Sequence, residues 1–529
     1  MVVCNLKPLN LKPLLRTQLH LKYLLAGIGL LISFLPHSQN KTGPNVIVIL
    51  SDDIGVGDIS SYRRLHSTNV KLETPNIDKL AQNGTMFTNA YAPASLCATS
   101  RYAIMTGNYN FRSPQPWGVW SGYLPGVFTK ETLTLGRLMQ NAGYTTAFVG
   151  KWHLGTLFKK KSDPEELATP VAKQEIFYDI DISKIVDDGP MQNGFEYSFT
   201  LPSGIQNVPY AAYEDDLWYP LRKDSKIDIV DEKVYARLGF DFNKNAGYGD
   251  SNWDPSLLGS LLVSKVTNFI SEHAKSDKPF FMYYCTQAVH APHAPPKQLD
   301  GIDIKETTPS RHMDMIKELD VQIGMIVKTL KEQGIYENTV FIFTSDNGGL
   351  FTDQQTLATG HNPSDIYRGH KNTAYEGGNR VPFIVTWPNE IGKNKVIENT
   401  AIGLDVMATI AAIVNTKIPE GQAKDSYNLL PLLKEDKEAS TRPIILLQAG
   451  SEKQVMIIED GWKLIMQMDK SGKDLKTTTP IALFNLNNNI EEREELNLIN
   501  NEEYNNKVTY LLKQYNTIRV SKTPQGKHI

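Results

Sequence analysis

The stretch NVIVILSDDIGVGDI, residues 45–59, places an unbroken apolar, β-branched run directly before an acidic pair, Asp52 and Asp53. A run of this kind, with no polar alternation, predicts a strand buried on both faces. Four further runs share the texture: TTAFVG (145–150), PFFMYYC (279–285), TVFIFT (339–344) and VPFIVTW (381–387). Segments of helical period fall between them, namely TLGRLMQNAG (134–143), SKVTNFISEHAK (264–275) and RHMDMIKELDVQIGMIVKTLKEQG (311–334). In the last of these, Met315, Ile316, Leu319, Ile323, Val327 and Leu330 form one apolar stripe, and Gly334 ends it. Buried strands separated by helices predict an α/β fold, a large mostly parallel sheet sandwiched by helices.

After LDVMATIAAIVN (404–415) the texture changes. RPIILLQ, QVMIIEDGWKLIMQ and IALFNLNNN predict short strands joined by turns, with no helices between them. Residues 44–420 therefore form the larger part of the expected architecture, and residues 421–529 a smaller C-terminal α+β subdomain on an antiparallel sheet. A surface turn and a terminal helix around 502–515 complete it, and no internal repeat is present.

The chain has 529 residues, 41% hydrophobic and 21% charged, as an ordinary globular protein does. A net charge of -3 excludes the strongly basic surface that nucleic acid needs, but leaves room for an anionic substrate in a local cationic pocket. Lys7, Lys12, Arg16 and Lys22 precede the apolar run YLLAGIGLLISFL (23–35) and a polar exit. That order predicts a secretory signal peptide over residues 1–39 and an exported mature protein, periplasmic or secreted. The run is short for a stable membrane span. Of three cysteines, Cys4 leaves with the signal, so Cys97 and Cys285 permit one disulfide at most. Cys97 lies in PASLCATSRYAIMTG (93–107), a stretch with a loop-like texture.

Chemistry gathers where the predicted strands end. Asp52 and Asp53 follow the first, Lys151 and His153 the second, His290 and His293 the third, and Asp346 and Asn347 the fourth. In an open parallel sheet, ligands bind outside the carboxyl ends of the strands. Each group alone has an ordinary explanation as a turn, cap or surface residue; four sets converging on one edge do not. Asp52, Asp53, Asp346 and Asn347 offer oxygen only, which suits a hard divalent cation, calcium or magnesium. Zinc would call for histidine or thiolate, and neither is expected beside these carboxylates. Three converging carboxylates without a cation would repel one another and force protonation.

With these residues placed, the chain resembles the type I, formylglycine-dependent sulfatases of the alkaline phosphatase superfamily. The resemblance rests on NVIVILSDDIGVGDI, ETPNIDKLAQNGTMFTNAYA, CATSRYAIMTG, GYTTAFVGKWHLG, HAPHAP, NTVFIFTSDNGG, RGHKNTAYEGGNRVPFIV and IALFNLNNNIEEREEL, in that order from about residue 44 to 500. It implies an alkaline-phosphatase-like sheet and conversion of Cys97 to formylglycine by a sulfatase-maturing enzyme. One hydroxyl of the hydrated aldehyde would attack sulfur, and loss of a proton from the other would expel sulfate. Asp52, Asp53, Asp346 and Asn347, with modified Cys97, would hold one calcium, magnesium being the second choice. Arg101 would steady the formylglycine, and Lys151 and Lys371 would grip sulfate oxygens. His153 would take the proton of the second hydroxyl, and His293 would protonate the leaving oxygen. The resemblance leaves His290 and Arg368 as substrate contacts, with His370 and Ser203 near enough to be considered. Thr99 departs from the proline or alanine usual at its position.

Two other readings are a phosphoesterase or phosphonate hydrolase of the same superfamily, and an inactive sulfoglycan-binding protein in which Cys97 stays a thiol. The oxygen-only ligand set fits one metal and so weighs against the first. The aromatic-rich stretch 193–221 suggests either a loop that binds sugar rings or one whose aromatics pack it onto the domain. The expected substrate is therefore a sulfated carbohydrate or polysaccharide, with ulvan as one specific case.

Overall fold

The strand Asn45–Ser51 has every residue buried. It is the middle of a ten-stranded sheet. The computed structural model describes residues 43–521 except 121, 170–175, 243, 352, 437–438, 440–441, 451–452, 470 and 473, so the expected signal segment lies outside the described residues. In spatial order the strands are Lys395–Ile397, Thr85–Phe87, Phe383–Thr386, Thr339–Ser345, Asn45–Ser51, Phe280–Cys285, Thr145–Lys151, Tyr197–Leu201, Ala212–Glu214 and Leu217–Tyr219. The five from Thr339–Ser345 to Tyr197–Leu201 are parallel neighbours. Their register pairs Ser51 with Ser345, Leu50 with Cys285, Cys285 with Gly150, and Lys151 with Leu201. The carboxyl ends of these strands are thus level along one edge.

Apolar side chains from both faces of the sheet fill two cores. One packs Ile47, Ile49 and Met282 against Leu262, Val266, Leu319 and Ile323 of the helices Pro255–His273 and Arg311–Glu332. The other packs Val46, Val48 and Phe281 against Ile104, Leu138 and Ile410. Both long helices start on side-chain caps, Asp254 accepting from Ser256 N–H and Ser310 from Met313 N–H. Gly334, with φ of 71°, follows the second where a left-handed residue ends a helix cheaply.

Four expectations change. Phe383–Thr386 is buried as predicted but antiparallel to its neighbour, because the chain between them stays in loops and short helices without a long crossover helix. The loop-like stretch around Cys97 is instead a helix, Cys97–Thr106. All ten of its residues are buried, so it has no polar face for a helical period to reveal. The aromatic-rich stretch 193–221 forms sheet strands, and Phe195, Phe199, Tyr210 and Tyr213 are core residues. The helix containing 264–273 begins nine residues earlier, at Pro255, where a Pro follows a capping Asp.

The C-terminal region carries a separate antiparallel sheet, Ile444–Gln448, Gln454–Glu459, Trp462–Gln467 and Thr479–Asn485, followed by the helix Asn505–Val520. Its first strand bonds to the segment before Cys97: Ser95 N–H donates to Gln448 O (2.8 Å) and Gln448 N–H to Pro93 O (3.2 Å). Among the described residues, no helix is long and apolar enough to cross a membrane. Cys97 and Cys285 are buried free thiols.

Beneath the loop that carries His290 and His293 lies Glu318, fully buried on the helix Arg311–Glu332. Its Oε1 accepts from Gln287 Nε2 (3.0 Å) and Gln322 Nε2 (3.1 Å), while Oε2 has no partner. Burial pushes this carboxyl up to about 8 from its ordinary 4.5, against the two amide bonds. A carboxyl whose folded value exceeds its unfolded one binds its proton more tightly in the fold, so stability falls as pH rises between those values. Glu318→Gln should flatten the decline of Tm across that window by a few degrees, and an unchanged slope would show that Glu318 is not the group responsible.

Candidate active site

The level strand ends bring the sequence motifs together. Asp346 N–H donates to Ser51 O (3.1 Å), and Asp53 N–H to Asp346 Oδ1 (3.2 Å), locking the two acidic turns side by side. Asp53 and His153 both adopt left-handed backbone, with φ of 65° and 57°. The histidine loop is tied to the first turn, Asp52 N–H donating to Ala288 O (2.9 Å). Lys371 is set by its own N–H, which donates to Gly349 O (3.1 Å). The adjoining turn needs bare backbone: a Cβ on Gly348 would stand 2.0 Å from Gly377 O.

Three carboxylates and three cations meet in this space, all of them at most 8% exposed. Lys151 Nζ lies 2.7 Å from Asp52 Oδ2, Lys371 Nζ 2.6 Å from Asp53 Oδ1, and Arg101 Nη2 2.8 Å from Asp346 Oδ2. Arg101 also donates through Nε to the same oxygen (3.0 Å) and through Nη1 to Lys151 O (2.8 Å). Burial works to raise Asp52 and Asp53 and is the largest single influence on each, but their positive neighbours together, led by Lys151 for Asp52 and Lys371 for Asp53, hold both below the ordinary range. Asp346 goes the other way, pushed up to about 6 by burial and then by Asp52, with Arg101 opposing. The protonation expected of three bare carboxylates thus survives only at Asp346, while side-chain cations keep Asp52 and Asp53 ionised.

Asp52 Oδ1, Asp53 Oδ2 and Asn347 Oδ1 are buried oxygens with no hydrogen-bond partner. Donor atoms of Asp52, Cys97 and Asp346 lie within 4.8 Å of one another. Unpaired buried oxygens from adjacent side chains fit a hard cation. The expectation that no softer donor lies beside them does not hold, because the Cys97 sulfur joins the cluster and His290 Nε2 stands 3.8 Å from Asp53 Oδ2.

Cys97 is the first residue of its helix, and burial raises its thiol above the ordinary value despite Lys151 and Lys371. Thr99 is buried with its hydroxyl donating to Leu96 O (2.9 Å), and Ser100 Oγ donates to Ala94 O (2.7 Å). His153 is held well below its ordinary value, first by burial and then by Lys151 and Arg101, and its Nδ1 has no partner. His290 is likewise brought down to about 4 by burial and Lys371. His293 Nδ1 faces Asp353 Oδ2 at 3.3 Å, a residue the sequence motifs do not include.

Three candidates are engaged elsewhere. Arg368 donates to Glu492 O (2.8 Å) and Glu494 (2.9 Å) and stacks on Tyr375, so its guanidinium braces the C-terminal segment. His370 Nδ1 pairs with Lys371 O (2.9 Å) and its ring stacks on Phe351. Ser203 Oγ accepts from Gly122 N–H (2.7 Å). A cleft of about 510 Å³ opens beside His293, bordered by Phe240, Asp241, Arg311, Asp353 and Gln355. A larger one, about 580 Å³, lies by Tyr62, His66, Arg380 and Arg442 and contains none of the converging groups.

Residues 44–416 match the sulfatase family. An N-acetylgalactosamine-6-O-sulfatase of Bacteroides thetaiotaomicron is 32% identical over 467 residues, covering 82% of this chain and 84% of that protein. Human arylsulfatase A is 30% identical over 395 residues, covering 74% and 68%. A structure labelled 6S-sulf, from work on glycosaminoglycan metabolism by Bacteroides thetaiotaomicron, superposes with a TM-score of 0.76 at 27% identity, covering 91% of this chain and all of that one.

Calcium titrated into metal-free protein should raise Tm by stabilising the fold that binds it. Asp53→Ala should remove that rise; an undiminished rise in the variant would take Asp53 out of the ligand set.

Proposed function

The chain belongs to the sulfatase family and hydrolyses sulfate esters, and we propose that it does so on a sulfated carbohydrate with a nucleophile made from Cys97. The convergence of Asp52, Cys97 and Asp346, with Lys151 and Lys371 beside them, carries this reading. Formylglycine at position 97 would supply the hydrated aldehyde as nucleophile. One calcium, held by Asp52, Asp53, Asp346 and Asn347 with residue 97, would supply positive charge against the sulfate.

The chain's own residues divide the remaining work. Lys151 and Lys371 bind sulfate oxygens and offset charge that grows in the transition state. Arg101 fixes residue 97 one helical turn away and, through Asp346, the acidic turn. His153, kept neutral by burial and two cations, accepts a proton beside residue 97. His293 donates a proton to the leaving alcohol oxygen. His290 lines the pocket.

The cleft beside His293 would take the alcohol portion of the substrate. Its aromatic ring and mixed polar rim suit a sugar, a role that the core-packed stretch 193–221 does not fill. The name of the Bacteroides relative favours a 6-O-sulfated amino sugar ahead of ulvan. An exported protein meeting such polymers outside the cell agrees with the basic and apolar N-terminal segment. The maturation partner would be a formylglycine-generating or other sulfatase-maturing enzyme that acts on the extended chain, because Cys97 is buried once folded. A second catalytic metal, needed by the phosphoesterase reading, has no further ligand cluster among the described residues.

Desulfation assays across defined 6-O-sulfated oligosaccharides, ulvan fragments and an aryl sulfate should show preference for a carbohydrate; turnover of the aryl compound alone would refute it. Cys97→Ala should abolish turnover with Tm nearly unchanged. Residual activity in that variant, or a peptide mass for residues 93–107 showing only thiol in active enzyme, would displace Cys97 as the nucleophile's source.

A further inference from the structure

Gln206 belongs to none of the sequence motifs, yet its side chain faces a lysine on which the site depends. It follows the strand Tyr197–Leu201, whose last residue pairs in register with Lys151. The loop after that strand is held on both sides. Trp152 N–H donates to Leu201 O (3.1 Å) and His153 N–H to Pro202 O (2.9 Å), while Gly122 N–H donates to Ser203 Oγ (2.7 Å) and Tyr235 OH to Ile205 O (2.9 Å). Gly204, with φ of 71°, makes the turn, and a Cβ there would stand 2.4 Å from Gln206 Oε1 and 2.9 Å from Lys151 Cδ. The amide oxygen and the lysine stem thus face each other across a gap that a methyl group would overfill.

Gln206 is buried, and its Oε1 has no hydrogen-bond partner. A buried oxygen left unpaired in a braced loop costs stability unless some state of the protein brings it a donor. The donor that shares its gap is the Lys151 ammonium. That ammonium lies 2.7 Å from Asp52 Oδ2, and Asp52 is also one of the carboxylates assigned to calcium. An ammonium and a divalent cation drawn to one carboxylate repel each other. Lys371 meets the same conflict at Asp53, but at 8% exposure it can turn toward water. Lys151 is wholly buried and cannot. Its charge needs a second acceptor from the protein itself.

We propose that Gln206 is the positioning residue of Lys151: when calcium takes Asp52, the ammonium turns from Oδ2 to Gln206 Oε1. An ammonium carries three N–H donors. With one given to Gln206, the others remain for sulfate oxygens, and the positive charge stays at the site without competing for the carboxylate. His153 Nδ1, an unpartnered nitrogen two residues beyond Lys151, is left open for the proton that His153 accepts. The inference rests on the reading of Asp52 as a calcium ligand and adds the group that lets Lys151 and the cation share the site.

A crystal structure of the protein with calcium bound should show Lys151 Nζ within hydrogen-bond distance of Gln206 Oε1. Calcium bound with Lys151 still on Asp52, or turned to His153 Nδ1, would overturn the proposal and leave the calcium reading standing. No calcium binding at all would defeat both. In solution, Gln206→Leu should weaken calcium binding about 10-fold by calorimetry, because the ammonium then has no seat but Asp52. The same substitution in a Lys151→Met background should change it about 2-fold or less, since Gln206 acts through the lysine. Equal losses in the two backgrounds, or no loss in either, would remove Gln206 from this role. Should the double variant fail to fold, Gln206→Glu, which keeps an acceptor oxygen, takes its place: it should bind calcium at least as tightly as the parent protein, and a loss equal to that of Gln206→Leu would overturn the proposal.

Discussion

Three carboxylates buried side by side at the end of a sheet must be compensated, and the way this chain compensates them sets its architecture. An ionised carboxylate without a partner in a dry interior would cost several kcal/mol. Each here meets a cation from a different part of the chain: Lys151 from the strand two places along the sheet, Lys371 from the loop before Phe383–Thr386, Arg101 from the helix that Cys97 begins. Compensation and cross-linking are therefore one event. The pairs hold the strand ends, the helix and the loop at hydrogen-bond distances, so the geometry of the site is set by the same charges that a substrate and a cation would engage.

The C-terminal sheet extends this bracing from behind. Lys463, fully buried in its third strand, lies 2.9 Å from Glu376 and 2.8 Å from Glu492. Glu376 also accepts from Arg380 Nε (2.7 Å) and Tyr91 OH (3.0 Å), and it lies five residues beyond Lys371. Asn372 N–H donates to Ser95 O (2.7 Å), and Gly450 N–H to Asn372 O (3.2 Å). The loops that present Cys97 and Lys371 are thus stitched to each other and to the small sheet. Arg368, beside Lys371 in sequence, takes part in this bracing, which explains why so prominent a cation stands apart from the converging groups.

Much of this was legible in the sequence because a buried parallel strand is written plainly. VIVIL, FFMYY and VFIFT have one interpretation, and the polar residues at the end of each strand arrive at a common edge. The stripe of Met315, Ile316, Leu319 and Ile323 was equally open to reading. The helix at Cys97 was not, since a helix buried on every side loses the polar face that marks its period. Tyr210 and Tyr213 misled because an aromatic in the core and one on a sugar-binding loop look alike in one dimension. The exclusion of softer donors failed for a related reason: Cys97 and His290 are far from Asp52 and Asp346 along the chain and adjacent only in the fold.

The burial of Cys97 orders events in the life of the protein. At 3% exposure, with its thiol raised by burial, the folded side chain is poorly ionised and closed to any enzyme that must embrace the surrounding peptide. Chemistry on Cys97 by such an enzyme has to precede formation of the helix. Thr99 stands two residues beyond Cys97. In the folded state its hydroxyl bond to Leu96 O serves well in a first helical turn, where a proline would also be tolerated because the N–H it lacks has no helical partner. The hydroxyl bond is the one contact that proline would lose there. On the proposed maturation of Cys97, an effect of threonine in place of proline would act on the extended chain, before the carboxylates and their cations close around it.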